Sequence, residues 1–102
     1  MAIYMTARFK MQPEARLRCE QAIREFVEYV KVNEPHTRLY TSVQETADAA
    51  SFLHFFVFDD VAARDAQANS AALKRFTEVL YPQTLAPVEF SDYSLVASTG
   101  SH

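Results

Sequence analysis

From Ile3 to Lys10 apolar and polar residues alternate, placing Ile3, Met5, Ala7 and Phe9 on one side and Tyr4, Thr6, Arg8 and Lys10 on the other. A period of two is that of a β-strand. The period then lengthens. Cys19, Ala22, Ile23, Phe26 and Val30 recur at three- and four-residue steps, the stripe of a long amphipathic helix. Pro13 suits the start of that helix, and Asn33-Glu34-Pro35 ends it, because the residue before a proline is pushed out of the helical region. Thr37 to Glu45 and Ser51 to Phe58 are rich in β-branched and aromatic residues, so they predict two strands of a hairpin joined through the polar 46–50 segment. Asp59 or Asp60 can cap a short helix through Ala66, and Ser70 can cap a second one with Leu73, Phe76 and Leu80 on one stripe. Pro82 stops it, and Pro87 to Val96 predicts the last strand.

The predicted order is β-α-β-β-α-α-β, an α+β chain with one four-stranded antiparallel sheet and its helices on one face. The strand Ser51 to Phe58 carries bulk on both sides: Phe52, Phe56 and Phe58 oppose Leu53, Phe55 and Val57. Helices on one face leave the other uncovered, and a sheet that is apolar on both sides needs a second cover. In a chain of 102 residues that cover must come from another subunit, which predicts a homodimer.

Length allows one domain, over residues 1–97, and residues 98–102 read as a tail, its Gly100-Ser101-His102 resembling an expression scar. With 10 basic and 13 acidic side chains the net charge is −3, and the basic residues are scattered, so no nucleic-acid or anionic-membrane partner is expected. The apolar run Phe52 to Phe58 is interrupted by His54 and falls short of the ~20 residues that cross a bilayer. No basic-then-apolar leader is read at the N-terminus. A single cysteine, Cys19, rules out an intrachain disulfide and a thiolate cluster, which fits a reducing cytoplasm. The only glycine is Gly100, so the glycine-rich loops that cradle phosphates or dinucleotides are absent.

Asn33-Glu34-Pro35-His36-Thr37 leading to Tyr40, then Phe52 to Asp60, Ser70 to Phe76 with Lys74-Arg75-Phe76, and Pro87-Val88-Glu89 with Tyr93 together resemble the antibiotic biosynthesis monooxygenase family. The likeness runs from about Ile3 to Val96. It implies the ferredoxin-like dimeric α+β barrel, in which two four-stranded sheets face each other with helices outside. The family's members include oxygenases of quinols or polyphenols that use neither metal nor flavin, haem-degrading proteins and a sugar isomerase. Many carry histidines at the slots of Gln67 and Ala72, and both are missing here. The haem-degrading branch uses an asparagine, a tryptophan and a histidine at slots aligned with Ala7, Gln67 and Thr77; this chain has no tryptophan, and neither Ala7 nor Thr77 is a haem ligand comparable to imidazole. A glycine is frequent at the slot of His36, so the turn there is expected to differ.

Oxygenation without a cofactor needs a base, a few hydrogen-bond partners and an apolar wall. His54 is the candidate base, lying on the same strand face as Phe52, Phe56 and Phe58; the competing reading is a hydrogen-bonded core or interface histidine. Tyr40, Phe56, Phe58, Gln67 and Tyr93 are the candidate substrate-binding residues, against ordinary roles as packing or exposed side chains. Gln67 and Asn69 also fit an exposed short helix. His36 reads as a loop residue or a pocket-mouth one, Arg8 as an ion-pairing group on the face opposite Ala7, and Cys19 as an inert core residue. No metal site is expected, because His36, His54 and His102 share no ligand spacing. The expected function is a cofactor-independent monooxygenase-like activity on a quinol or other hydroxylated aromatic. A non-catalytic binding protein and an isomerase are the alternatives.

Overall fold

The computed structural model describes residues 1–100; Ser101 and His102, the end of the tail and the last of the three histidines, lie outside the described residues. The elements are β1 (Ile3–Lys10), a 3₁₀ turn (Pro13–Ala15), α1 (Arg16–Asn33), β2 (Thr37–Gln44), β3 (Ser51–Phe58), α2 (Val61–Ala68), α3 (Ala71–Leu80), a second 3₁₀ turn (Tyr81–Gln83) and β4 (Glu89–Tyr93). The strands form one antiparallel sheet in the order β2-β3-β1-β4. The α+β class and the four-stranded sheet expected from the pattern are therefore present.

Local chemistry explains the helix starts. The Asp60 side chain accepts from the Ala63 N–H at 2.9 Å, and the Ser70 hydroxyl accepts from the Leu73 N–H at 3.0 Å, each satisfying a donor that has no partner within the first helical turn. Pro13 sits in a 3₁₀ turn rather than in α1 itself, which begins at Arg16. The short helix runs two residues past the expected Ala66 to Ala68, where the Asn69 side chain donates to the Asp65 carbonyl at 2.9 Å and closes the last turn.

The last strand is shorter than expected: Glu89–Tyr93 rather than Pro87 to Val96. Its ladder to β1 covers only Tyr4 to Arg8, and among the described residues no strand lies on its other side. Pro87 has no N–H to give to a ladder, and Leu95 and Val96 are exposed beyond the pairing.

On the helix side of the sheet, α1 buries Cys19, Ile23, Phe26 and Val30, and α3 buries Ala72, Phe76 and Leu80, all against Phe9 and Phe52. The rings of Phe26 and Phe76 stack with centroids 4.7 Å apart, locking the two helices together through a contact worth about 0.5–1.5 kcal/mol beyond area burial. On the opposite face Leu53 and Phe55 are only partly covered, and Val43 and Tyr93 are about half exposed (50% and 53%).

The α3 cap gives the first prediction. Ser70→Ala removes the acceptor for the Leu73 N–H, and urea unfolding should show a loss of about 1 kcal/mol with the m-value unchanged; a loss below measurement error would mean that the cap does not hold the helix start.

Candidate functional site

The β1–β3 register sets Ala7 opposite His54 and Met5 opposite Phe56, and the β2–β3 register sets Tyr40 opposite Phe56. Strand alternation then points Phe52, His54, Phe56 and Phe58 toward the helices, where all four are buried. Between this wall and α2 and α3 lies a cavity of about 240 Å³. The strands contribute Tyr40, His54, Phe56 and Phe58 to its lining, and the helices contribute Gln67 and Phe76.

Of the expected site residues, the fold thus brings together His54, Tyr40, Phe56, Phe58 and Gln67. Tyr93 is placed elsewhere. It pairs with Tyr4, on the sheet face away from the helices, and its hydroxyl oxygen accepts from the Thr6 hydroxyl at 3.3 Å. Phe90, which pairs with Ala7, is the β4 residue that reaches the cavity. Asn69 is spent on the end of α2. His36 is exposed and sits 3.0 Å from Asp59 through Nδ1, in a group that also includes Arg38. Arg8 is exposed on the outer face, as its alternation with Ala7 requires. The expectation that Gln67 lies exposed on a short helix is overturned: it is 6% exposed, because the side of α2 that faces the α1 end carries it inward to Glu34.

His54 is the chemical centre of the cavity. It is 1% exposed. The ring stands edge-on to Phe9 with centroids 5.0 Å apart, edge-on to Tyr40 at 5.4 Å, and roughly parallel to Phe76 at 6.2 Å. Nδ1 lies 2.9 Å from the Tyr40 hydroxyl, and Nε2 has no hydrogen-bond partner among the described residues. Burial among these rings disfavours the imidazolium and pushes the His54 pKa down from 6.5 to about 4. Burial also pushes the Tyr40 phenol well above its usual range, with smaller contributions from Tyr81 and Glu34. At neutral pH the pair is therefore an uncharged imidazole beside an uncharged phenol.

Gln67 is the other buried polar group of the cavity wall. Its Nε2 donates to Glu34 Oε1 at 2.9 Å, and the Thr37 hydroxyl donates to the same oxygen at 2.9 Å. Glu34 Oε2 is buried without a partner. In the sequence Glu34 reads as part of a helix stop and of the family-like run from Asn33 to Thr37, and no local signal ties it to a residue on α2. Arg64 at the cavity rim lies 3.4 Å from Asp65 through Nε. Cys19 is buried under α1, and its thiol pKa is raised by that burial against a smaller opposing effect of Arg18. Among the described residues no cluster of three or more His, Cys, Asp or Glu has the geometry to hold a metal ion, and no helix is long and apolar enough to cross a membrane.

The family model described as antibiotic biosynthesis monooxygenase matches residues 2–79. The chain belongs to this family. Solved structures of similar fold include a protein from Bacteroides thetaiotaomicron described by the same family name, with a TM-score of 0.91 at 16% identity, covering 99% of this chain and 95% of that one. A protein from Mycobacterium tuberculosis superposes with a TM-score of 0.87 at 15% identity over 98% of this chain and 100% of its own. A variant of SnoaB, a cofactor-independent oxygenase from Streptomyces nogalater, gives 0.82 at 13% identity and 98% coverage of both chains. At such identities the likeness is one of fold. No curated protein matches the sequence. In this chain α2 and α3 carry Gln67 and Ala72, and the imidazole of the cavity, His54, comes from β3.

The buried imidazole has a thermodynamic signature. The unfolded chain takes up a proton on His54 near 6.5, whereas the folded chain takes it up only near 4. The unfolded state therefore binds more protons between these values, and this contribution to stability is complete above 6.5 and lost as pH falls through that window. The difference amounts to about 3 kcal/mol at full titration. Urea unfolding of the wild type and His54→Phe from pH 7.5 to 4 should show the wild type losing stability more steeply; parallel slopes would place His54 in contact with water.

Proposed function

We propose that the protein is a homodimeric, cofactor-independent monooxygenase acting in the cytoplasm on a small hydroxylated aromatic or quinol-like ligand held in the cavity, with His54 as its base. The observation that carries this reading is the imidazole whose Nδ1 is engaged by Tyr40 while Nε2 stays unpartnered in an aromatic wall. In the tautomer with Nδ1–H donating to the Tyr40 oxygen, Nε2 keeps its lone pair for a ligand hydroxyl. The proton moves to Nε2, the phenolate or enolate left behind gives electrons to dioxygen, one oxygen atom enters the substrate, and two substrate hydrogens leave with the other as water. Phe56, Phe58 and Phe76 supply the water-poor walls such an anion needs. Membership of the family and the fold shared with an oxygenase described as cofactor-independent support the reaction class. The lone buried Cys19 supports a reducing compartment.

A second reading is a binding protein that does no chemistry, favoured by the lack of any histidine on α2 and α3. Oxygen uptake with a panel of quinols and anthrones decides between them. The enzyme reading expects uptake that falls about 10²–10⁴-fold in His54→Ala. Tight binding without uptake supports the binding protein, and uptake unchanged in His54→Ala removes His54 from the chemistry.

The dimer rests on the outer sheet face, where Leu39, Val43, Leu53, Phe55 and Tyr93 carry apolar surface that no helix covers. Sedimentation equilibrium at micromolar concentration should return twice the chain mass, and Phe55→Asp should return the monomer. A monomeric wild type would overturn the assembly.

A further inference from the structure

A carboxylate held behind the cavity wall decides which end of the Gln67 amide a ligand meets. We infer that Glu34 is a positioning residue that fixes Gln67 as a hydrogen-bond acceptor toward the cavity, so that the site selects ligands carrying a hydroxyl donor and rejects the corresponding ether or carbonyl compound. This rests on the reading of the cavity as the ligand site.

Glu34 follows the end of α1 and is not part of the cavity lining, whereas Gln67 belongs to that lining. The two meet across 2.9 Å through Gln67 Nε2 and Glu34 Oε1. Thr37, at the start of β2, donates to that same oxygen from the opposite side in sequence and steadies the carboxyl group. A carboxylate oxygen accepts and cannot donate, so the amide must turn its N–H arm to Glu34. Oε1 is the arm of the planar amide not tied to Glu34, and since Gln67 is part of the cavity lining, it is the arm we assign to the ligand. An acceptor in an apolar wall rewards a ligand O–H and is left unpaired by a methyl ether or a quinone carbonyl, which costs affinity. For a reaction that turns a hydroxylated aromatic into a carbonyl product, this contact holds the reduced ligand and loosens on the oxidised one.

Affinities for 1-naphthol and 1-methoxynaphthalene, measured by isothermal titration calorimetry on the full chain, test the inference without requiring turnover. The wild type should prefer 1-naphthol by at least about fivefold, the size expected of one neutral hydrogen bond. Gln67→Met keeps the length of the side chain and removes the acceptor, and should lower the ratio about fivefold, leaving only the share that His54 Nε2 contributes. Glu34→Gln leaves two amides that pair equally well in either sense, so the ratio should fall by half or more while the affinity for 1-methoxynaphthalene holds. Should Glu34→Gln fail to fold, Glu34→Met, which keeps the length of the side chain and removes the acceptor that fixes the amide, takes its place with the same expected fall. Equal affinities in the wild type, or a ratio undiminished in Gln67→Met or in the Glu34 variant, would overturn the inference while leaving His54 chemistry to its own assay. A wild type that binds neither compound would overturn the cavity reading and this inference together.

Discussion

The alternation of β3 is the constraint on which the rest of the molecule depends. This strand lies between β1 and β2, and its eight residues are apolar on both sides apart from Ser51 and His54. Because side chains alternate with a period of two, a slip of one residue would carry His54 to the outer face and put Leu53 and Phe55 under the helices. The observed registers prevent this: Ala7, the smallest side chain of β1, faces His54 from one side and Ser42 faces it from the other. Small neighbours leave room for the imidazole and the cavity beside it. Larger ones would fill the space.

The same strand explains how a polar group can sit in so apolar a place. An imidazole among Phe9, Tyr40 and Phe76 loses its hydration, and the structure answers with a single hydrogen bond to Tyr40 and with ring contacts at 5.0–6.2 Å. A buried nitrogen without a partner costs on the order of 1–3 kcal/mol, an amount that packing of the same position with phenylalanine would avoid. Stability alone therefore gives no reason for Nε2 to be there. Gln67 presents the opposite case, since its amide is tied on the Nε2 side to Glu34. The cavity thus contains one polar group steadied from behind and one left open.

What could be read from the sequence and what could not follows from how each feature is encoded. The period of β1, the stripe of α1 and the two-faced character of β3 are local patterns, and they gave the elements and the strand face that His54 shares with Phe56 and Phe58, but not which face the helices cover. Proline and the capping residues Asp60 and Ser70 marked helix ends for the same reason. The phase of β4 was not local. Val88 and Phe90 point one way and Tyr93 the other, and only pairing with Ala7 and Tyr4 shows which side is the cavity. For Gln67 the cavity and the exposed readings stayed open side by side, because α2 is short and rich in alanine and its pattern does not orient it. The partner that buries it, Glu34, is 33 residues away, a separation at which spacing carries no information.

The energetics of His54 bear on the proposed chemistry in a way its exposure alone does not. A base held at about 4 is almost wholly unprotonated at neutral pH, which makes it available but weak. Taking a proton from a phenol of pKa ~10 then costs about 8 kcal/mol at equilibrium if the two ions are far apart, from about six units at ~1.4 kcal/mol each. They are not far apart. A phenolate within about 4 Å of the new imidazolium recovers about 4 kcal/mol at an effective dielectric of about 20, and burial that weakened the base strengthens this attraction. The remaining cost, at least ~4 kcal/mol before the ligand's own desolvation is added, compares with the ~16 kcal/mol barrier that corresponds to a turnover of about 10 per second. Protonation at Nε2 leaves the Nδ1–H bond to Tyr40 in place, so no side chain has to turn during the transfer. The same arithmetic favours ligands whose anions are delocalised and more acidic than a simple phenol, because each unit of ligand acidity removes ~1.4 kcal/mol of the cost. A weak, dry base thus suits an extended hydroxylated ring system better than an isolated phenol.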